Sequence, residues 1–217
     1  YGSFLENKES TSLVVFLSGL SGNDTRPLIQ NASTDFFKHG FSTLWFNFCN
    51  DDKVENQKAN APKISEMSFS VYVAELKNVL DSVGKKYSTI VLVGHSFGAP
   101  ISIMFLKKYK KYVSKTKLAV WDPALLPWGK EVVEEVFVFD PIKKLYCQKE
   151  TENPLVVNGS FYKELLGIKD TAEILRELNQ KTCIIAAEKG AHEDAEKYFA
   201  KLRNKKSSTL SIIKGAN

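Results

Sequence analysis

One short stretch limits the possible fold of this chain more than any other: a strand-like run that ends in a serine between two glycines. Residues 90–93 are all aliphatic, which is typical of a buried strand, and Gly94, Ser96 and Gly98 follow at once. A tight turn from a strand into a helix needs small residues two places before and after its apex, because larger side chains would collide with the returning backbone. Such a turn exposes the hydroxyl of its apex residue, so Ser96 is the first candidate nucleophile.

Strand-like and helix-like segments alternate along most of the chain. Apolar runs that predict strands occupy residues 13–17, 41–48, 89–93, 118–121, 183–186 and 210–213. Helical spacing and helix-ending residues predict helices at 27–39, 69–80, 101–106 and 193–202. This alternation predicts an α/β fold with a mostly parallel sheet and helices on both faces. Functional residues are then expected at the carboxyl ends of the strands.

The alternation stops after Asp122 and resumes at Thr182. The intervening segment is rich in aromatic side chains, and we interpret residues 123–181 as a cap inserted into one domain that spans residues 1–217. The lysine- and tyrosine-rich run at 107–112 is interpreted as the frayed, solvent-facing end of the third helix.

Composition and charge exclude several classes of function. The 217 residues carry a formal net charge of +5, but lysine pairs are scattered over several elements and no nucleic-acid-binding module accompanies them. No apolar run approaches the length that spans a bilayer, and Cys49, Cys147 and Cys183 form no metal-binding or disulfide pattern. We therefore expect no nucleic-acid partner, no membrane span, no metal and no organic cofactor. Reduced thiols favour a cytoplasmic location.

The order of elements and three motifs together resemble the α/β-hydrolase family of serine esterases, lipases and peptidases. The motifs are GHSFG at the strand–turn–helix, SGLSGN after the first apolar run, and WDP after the strand at 118–121. The resemblance covers nearly the whole chain. It implies that Ser96 attacks a carbonyl carbon and that the amides of Phe97 and Leu20 stabilise the oxyanion. Ser18 stands where the family usually has a histidine, so the hydrogen bonding of this loop differs.

A serine nucleophile needs a histidine to take its proton, and the chain contains three. His39 closes a helix, where a positive charge suits the helix C-terminus, and His95 is the variable residue of the turn, interpreted as a packing residue. His192 follows the strand at 183–186, where the family normally keeps its acid.

The family's own histidine follows the last strand, after a step such as Gly-Ala-Asn. This chain ends on Gly-Ala-Asn, at Asn217. We therefore expect the chain to be clipped at both ends, with the catalytic histidine next after Asn217, and keep His192 as the alternative base.

The acid of the expected triad is also displaced. The resemblance puts an aspartate about where Gly190 stands, which leaves Glu188 as a nearby carboxylate. Asp122 is a second candidate, because some family members take the acid from the strand that follows the elbow helix; it is equally well read as a turn residue before Pro123. Glu193 and Asp194 are interpreted as carboxylates that favour a helix N-terminus.

These observations predict a serine hydrolase that cleaves a carboxylic ester or thioester through an acyl-enzyme on Ser96. Its partner would be a small-molecule ester, with an acyl or aromatic group suggested by the aromatic cap. The alternative is a non-catalytic, hydrolase-like binding protein that lacks a complete triad. The absent family histidine, Gly190 and Ser18 favour that alternative.

Overall fold

The computed structural model describes residues 2–20, 27–46, 48, 66–149 and 156–216. One group of strands forms the main sheet: β1 Gly2–Leu5, β2 Ser12–Leu17, β3 Ser42–Phe46, β4 Thr89–His95, β5 Thr116–Trp121, β9 Thr182–Ala187 and β10 Thr209–Ile213. The others form a separate antiparallel sheet: β6 Phe137–Asp140, β7 Leu145–Gln148 and β8 Val156–Val157. The order in the main sheet is β1-β3-β2-β4-β5-β9-β10, and every neighbouring pair is parallel except β1 and β3.

Helices cover both faces of the main sheet, as the alternation predicts. They are α1 Pro27–Lys38, α2 Phe69–Val83, α3 Gly98–Lys108, α4 Lys130–Val136, α5 Gly159–Gly167, α6 Thr171–Leu178 and α7 His192–Lys201. Ile29 of α1 packs with one set of sheet residues, whereas buried side chains of α2, α3, α6 and α7 belong to the larger core. No helix of the described residues is both long enough and apolar enough to cross a bilayer.

The position of strand β2 inside the sheet explains why its sequence is apolar at every residue and does not alternate. Leu13, Val15 and Leu17 join the larger core, and Val14 and Phe16 join the core beneath α1. A strand in the middle of a parallel sheet is covered on both sides, so every position is apolar.

The α/β class and the mostly parallel sheet are confirmed, but the structure differs from the predicted elements in two places. Strand β1, which pairs antiparallel with β3 at the sheet edge, is not predicted from sequence. The predicted frayed helix end is wrong, since residues 110–115 form a 3₁₀ helix in which Tyr112 is only 3% exposed. Its hydroxyl donates to Asp81, so an aromatic side chain anchors this segment to α2.

The segment between β5 and β9, predicted as a cap, contains two kinds of element. Strands β6–β8 form their own sheet, whereas α6 packs beside α3 and α7. Helix α5 is tied to the start of α2, because Ser70 donates from its amide and its hydroxyl to the Glu164 carboxylate at 3.1 and 2.6 Å. The boundaries of the cap at 123–181 stay a prediction.

Candidate active site

Ser96 occupies a strained turn between β4 and α3. Its φ is 50°, in the left-handed region that residues with a Cβ rarely adopt. The amide of Ser96 donates to the Trp121 carbonyl at 3.0 Å, and its carbonyl accepts from the amide of Ala124 at 3.2 Å. The strained turn is thus fastened to the residues around the end of β5. Ser96 is half-buried, and its hydroxyl makes no hydrogen bond with any described residue.

Close backbone contacts explain the two glycines around Ser96. A Cβ on Gly94 would lie 2.5 Å from the carbonyl carbon of Gly98, and one on Gly98 would lie 2.3 Å from the Leu17 carbonyl oxygen. Both distances are far inside van der Waals contact. Side chains at positions 94 and 98 would therefore prevent the start of α3 from packing against β2 and β4.

The loop after β2 lies against Ser96. A Cβ on Gly19 would be 3.1 Å from the Ser96 Cβ and 3.4 Å from its Oγ. Leu20, the predicted oxyanion donor, follows directly and packs against the larger core. The other predicted donor, Phe97, is buried where α3 begins, so its amide lies at the positive end of the helix dipole. Residues 21–23 of the SGLSGN motif lie outside the described residues.

Asp122 lies beyond the end of β5, beside the loop that follows β9. Its φ is 40°, and its Oδ1 accepts from the amides of Ala187 at 2.7 Å and Ala191 at 3.4 Å. A Cβ on Gly190 would lie 2.9 Å from that same oxygen. The Asp122 carboxylate therefore fills space that a side chain at position 190 would need. The carboxylate of Asp122 thus lies where the resemblance places the acid, next to position 190.

Glu188, the other candidate acid, contacts the backbone of the residues after β10. It is exposed, and its Oε2 accepts from the Gly215 amide at 2.8 Å. The backbone amides of Glu188 and Lys189 donate to the carbonyls of Ile213 and Ala216 at 3.1 and 3.0 Å. The residues after β10 thus run alongside the loop that holds Asp122.

None of the three histidines hydrogen-bonds to the Ser96 hydroxyl. His192 is the first residue of α7, and its buried Nδ1 has no hydrogen-bond partner among the described residues. The His95 ring packs edge-on against Trp121 at 5.5 Å, in line with a packing role. His39 is exposed, and its Nδ1 donates to the Asp35 carbonyl at 2.7 Å near the end of α1.

Helix α7 also supplies contacts that sequence reasoning does not identify. Asp194 is expected only to favour the helix dipole, but its Oδ2 accepts from the Leu125 amide at 3.1 Å. Tyr198 is fully buried, and its hydroxyl donates to the Ala124 carbonyl at 2.9 Å. Burial raises the pKa of Tyr198, so this donor stays protonated. Asp194 and Tyr198 are one helical turn apart, so they lie on the same face of α7. This spacing is the only sequence feature that indicates a contact between that face and the segment after Asp122.

Among the described residues, no group of three or more His, Cys, Asp or Glu side chains is arranged to hold a metal ion. Cys147 and Cys183 are free thiols, and Cys49 lies outside the described residues.

Several solved structures with a similar overall architecture carry names of esterases, lipases or other hydrolases. Est1E from Butyrivibrio proteoclasticus, solved with ferulic acid bound, is 15% identical with a TM-score of 0.76, over 99% of this chain and 85% of that one. A monoacylglycerol lipase from Paleococcus ferrophilus is 14% identical with a TM-score of 0.68, over 100% and 89%. MGS-MChE2, an α/β-hydrolase enzyme from a sediment metagenome of the lagoon of Mar Chica, Morocco, is 19% identical with a TM-score of 0.60, over 99% and 85%.

No family model matches this chain, and no curated protein matches it in sequence. The likeness to solved structures, together with the strand order, shows that the chain has the α/β-hydrolase fold.

Proposed function

We propose that this protein is a serine hydrolase that cleaves carboxylic esters or thioesters through an acyl-enzyme on Ser96. The observation that carries the proposal is the strained backbone of Ser96, with a φ of 50°, between two glycines that cannot accept a side chain. Strain of this kind is kept where the surrounding structure over-determines it, most often at functional sites.

The neighbouring segments suit the chemistry of acyl transfer. Attack of the Ser96 oxygen on an ester carbonyl carbon breaks the carbonyl π bond and places a negative charge on the carbonyl oxygen. The amides of Leu20 and Phe97, on the two backbone segments that flank Ser96, would donate to that oxyanion. The base takes the Ser96 proton during the attack and gives it to the leaving alcohol or thiol as the intermediate collapses, and water, activated by the same base, then releases the acid from Ser96.

Asp122 is the acid of the proposed triad. Two backbone amides bind its carboxylate at 2.7 and 3.4 Å, so the side chain is fixed and its charge is compensated. Glu188 is the weaker candidate because its carboxylate is exposed and already accepts from the Gly215 amide.

His192 is the candidate base within this chain. It is adjacent to Ala191, whose amide binds Asp122, and its Nδ1 is unpartnered among the described residues.

Hydrolysis of p-nitrophenyl butyrate tests the proposal. Changing Ser96→Ala should lower kcat/KM by about 1,000-fold or more. A similar loss on changing His192→Gln would identify His192 as the base, whereas activity that His192→Gln leaves unchanged would assign the base to another residue. Hydrolysis that Ser96→Ala leaves unchanged would refute the proposed nucleophile.

One observation favours the second candidate function, a hydrolase-like binding protein. The Ser96 hydroxyl makes no hydrogen bond to a base within the described residues. In that case this chain would hydrolyse the ester no faster than its Ser96→Ala variant.

A further inference from the structure

One pocket among the described residues lies apart from Ser96. It is an open groove of 620 Å³ lined by residues of α2, α3, α5 and α6. None of the candidate catalytic or oxyanion residues lines it. Its function is therefore a separate question from that of the proposed hydrolase site.

The groove has an apolar lining. Phe69 and Val73 of α2, Met104 of α3 and Ile174 of α6 contribute to its walls, together with Ile168 from the turn between α5 and α6. Phe69, Val73 and Ile174 belong to the larger core, so part of the groove wall is closely packed core structure. An apolar wall of this kind lowers the free energy of a bound hydrocarbon chain.

A stack of aromatic rings connects the groove to the serine turn. Phe69, which lines the groove, stacks on Phe97 with 5.7 Å between ring centroids and on Phe161 with 4.9 Å. Along α3 the groove is lined by Met104, Lys107 and Lys108, near the C-terminal end of the helix.

The rim of the groove is positively charged. Four lysines line it: Lys107, Lys108, Lys163 and Lys169. Lys107 pairs with Glu177, but the other three form no salt bridge with a described residue. The one carboxylate in the lining, Glu164, already accepts two hydrogen bonds from Ser70. The rim thus presents cations that a ligand can neutralise.

We propose that this groove binds an amphiphile with a hydrocarbon chain and an anionic head, such as a long-chain carboxylate. The chain would lie along the apolar walls beside Phe69 and Met104. The head would meet the ammonium groups of Lys108, Lys163 and Lys169. This combination of an apolar wall and a cationic rim favours an anionic amphiphile over a neutral or cationic one of the same length.

Two pairs of variants separate the groove from the rest of the molecule. Gly167 lines the groove, and a Cβ there would meet no described atom within 4 Å, so Gly167→Trp should fold and obstruct the space. Gly159 is equally open but lies at the other end of α5, outside the groove, so Gly159→Trp is its control. For charge, the exposed pair Lys163→Glu with Lys169→Glu is matched by the exposed pair Lys205→Glu with Lys206→Glu.

Titration calorimetry with dodecanoate, on the Ser96→Ala form so that Ser96 chemistry plays no part, tests the proposal. One dodecanoate should bind per chain, with Kd raised about tenfold or more by Gly167→Trp and by the Lys163/Lys169 pair, and changed less than about twofold by either control. Dodecyl maltoside, a neutral probe with the same chain, should bind at least about tenfold more weakly. Added salt should weaken the binding of dodecanoate because the rim lysines are exposed.

Three results would overturn the proposal. They are no binding of dodecanoate up to its solubility limit, equal binding of the neutral probe, or binding that neither the tryptophan nor the charge variant weakens. Circular dichroism confirms the fold of each variant, and if Gly167→Trp fails to fold, the charge pair decides the outcome alone.

Discussion

Two residues with positive φ lie side by side at the carboxyl edge of the sheet. Ser96 follows β4 with a φ of 50°, and Asp122 follows β5 with a φ of 40°. The strands pair so that His95 lies opposite Trp121, which places the two turns next to each other. Strain at adjacent strand ends fits a site in which a nucleophile and its supporting acid are held on rigid elements.

Replacing Gly98 by alanine should destabilise the protein. The added Cβ would lie 2.3 Å from the Leu17 carbonyl oxygen, so α3 must move away from β2. We expect the free energy of unfolding to drop by about 1–3 kcal/mol in urea denaturation. Gly159→Ala is the control, because a Cβ there meets open space in the described structure, and an equal loss for both variants would contradict the steric argument.

The choice of acid can be tested by two isosteric changes. If Asp122 orients the base, Asp122→Asn should lower kcat/KM for p-nitrophenyl butyrate by about 100-fold or more. Glu188→Gln should change it by less than about threefold, since that carboxylate is exposed and bonded to the Gly215 amide. The reverse ranking of the two variants would assign the acid to Glu188.

The serine turn could be predicted from sequence, and Asp122 could be named as a candidate acid, whereas its contact with the loop after β9 could not be predicted. The spacing of Gly94, Ser96 and Gly98 meets a local steric requirement, so these three residues are enough to predict the turn. Asp122 and Gly190 lie far apart in sequence and meet only because β5 and β9 are neighbours in the sheet. No local pattern contains that contact.

At the scale of elements, helix α7 fixes the segment that follows Asp122. Tyr198 shares a hydrogen bond of 2.5 Å with the Thr171 hydroxyl and donates to the Ala124 carbonyl. The Thr171 hydroxyl oxygen also accepts from the Leu126 amide at 3.2 Å, and the Thr171 amide donates to the Leu126 carbonyl at 2.8 Å. One buried network therefore joins α6, α7 and the residues after β5. Its members are separated in sequence, which is why sequence reasoning leaves it unseen.

Two buried threonines provide a matched test of this network. Thr171→Val would leave the Leu126 amide without its buried acceptor, so the free energy of unfolding should drop by about 1–3 kcal/mol. Thr116 is also buried, in β5, but its hydroxyl has no partner among the described residues. Thr116→Val should therefore be neutral or stabilising in the same urea titration. Equal losses would show that the hydroxyl network contributes nothing.

At the scale of the whole molecule, the main sheet and the β6–β8 sheet differ in how firmly they are packed. Strand β4 lies between β2 and β5, with Ile90 and Leu92 fully buried. In β6, Val138 and Phe139 are each 49% exposed. Such a difference in burial predicts a difference in local stability.

Hydrogen exchange followed by mass spectrometry measures that difference. Peptides from β4 should exchange at least about tenfold more slowly than peptides from β6 and β7, because their amides open only when the main sheet does. Equal protection of the two sheets would mean that the molecule opens as one cooperative unit.

The central claim is that Ser96 is an activated nucleophile, and covalent labelling with a fluorophosphonate tests it most directly. The probe is applied to this chain, and the modified residue is located by peptide mass spectrometry. We predict one adduct per chain, on Ser96, and no adduct in the Ser96→Ala variant. Absence of labelling, or an adduct that persists after Ser96→Ala, would contradict the account.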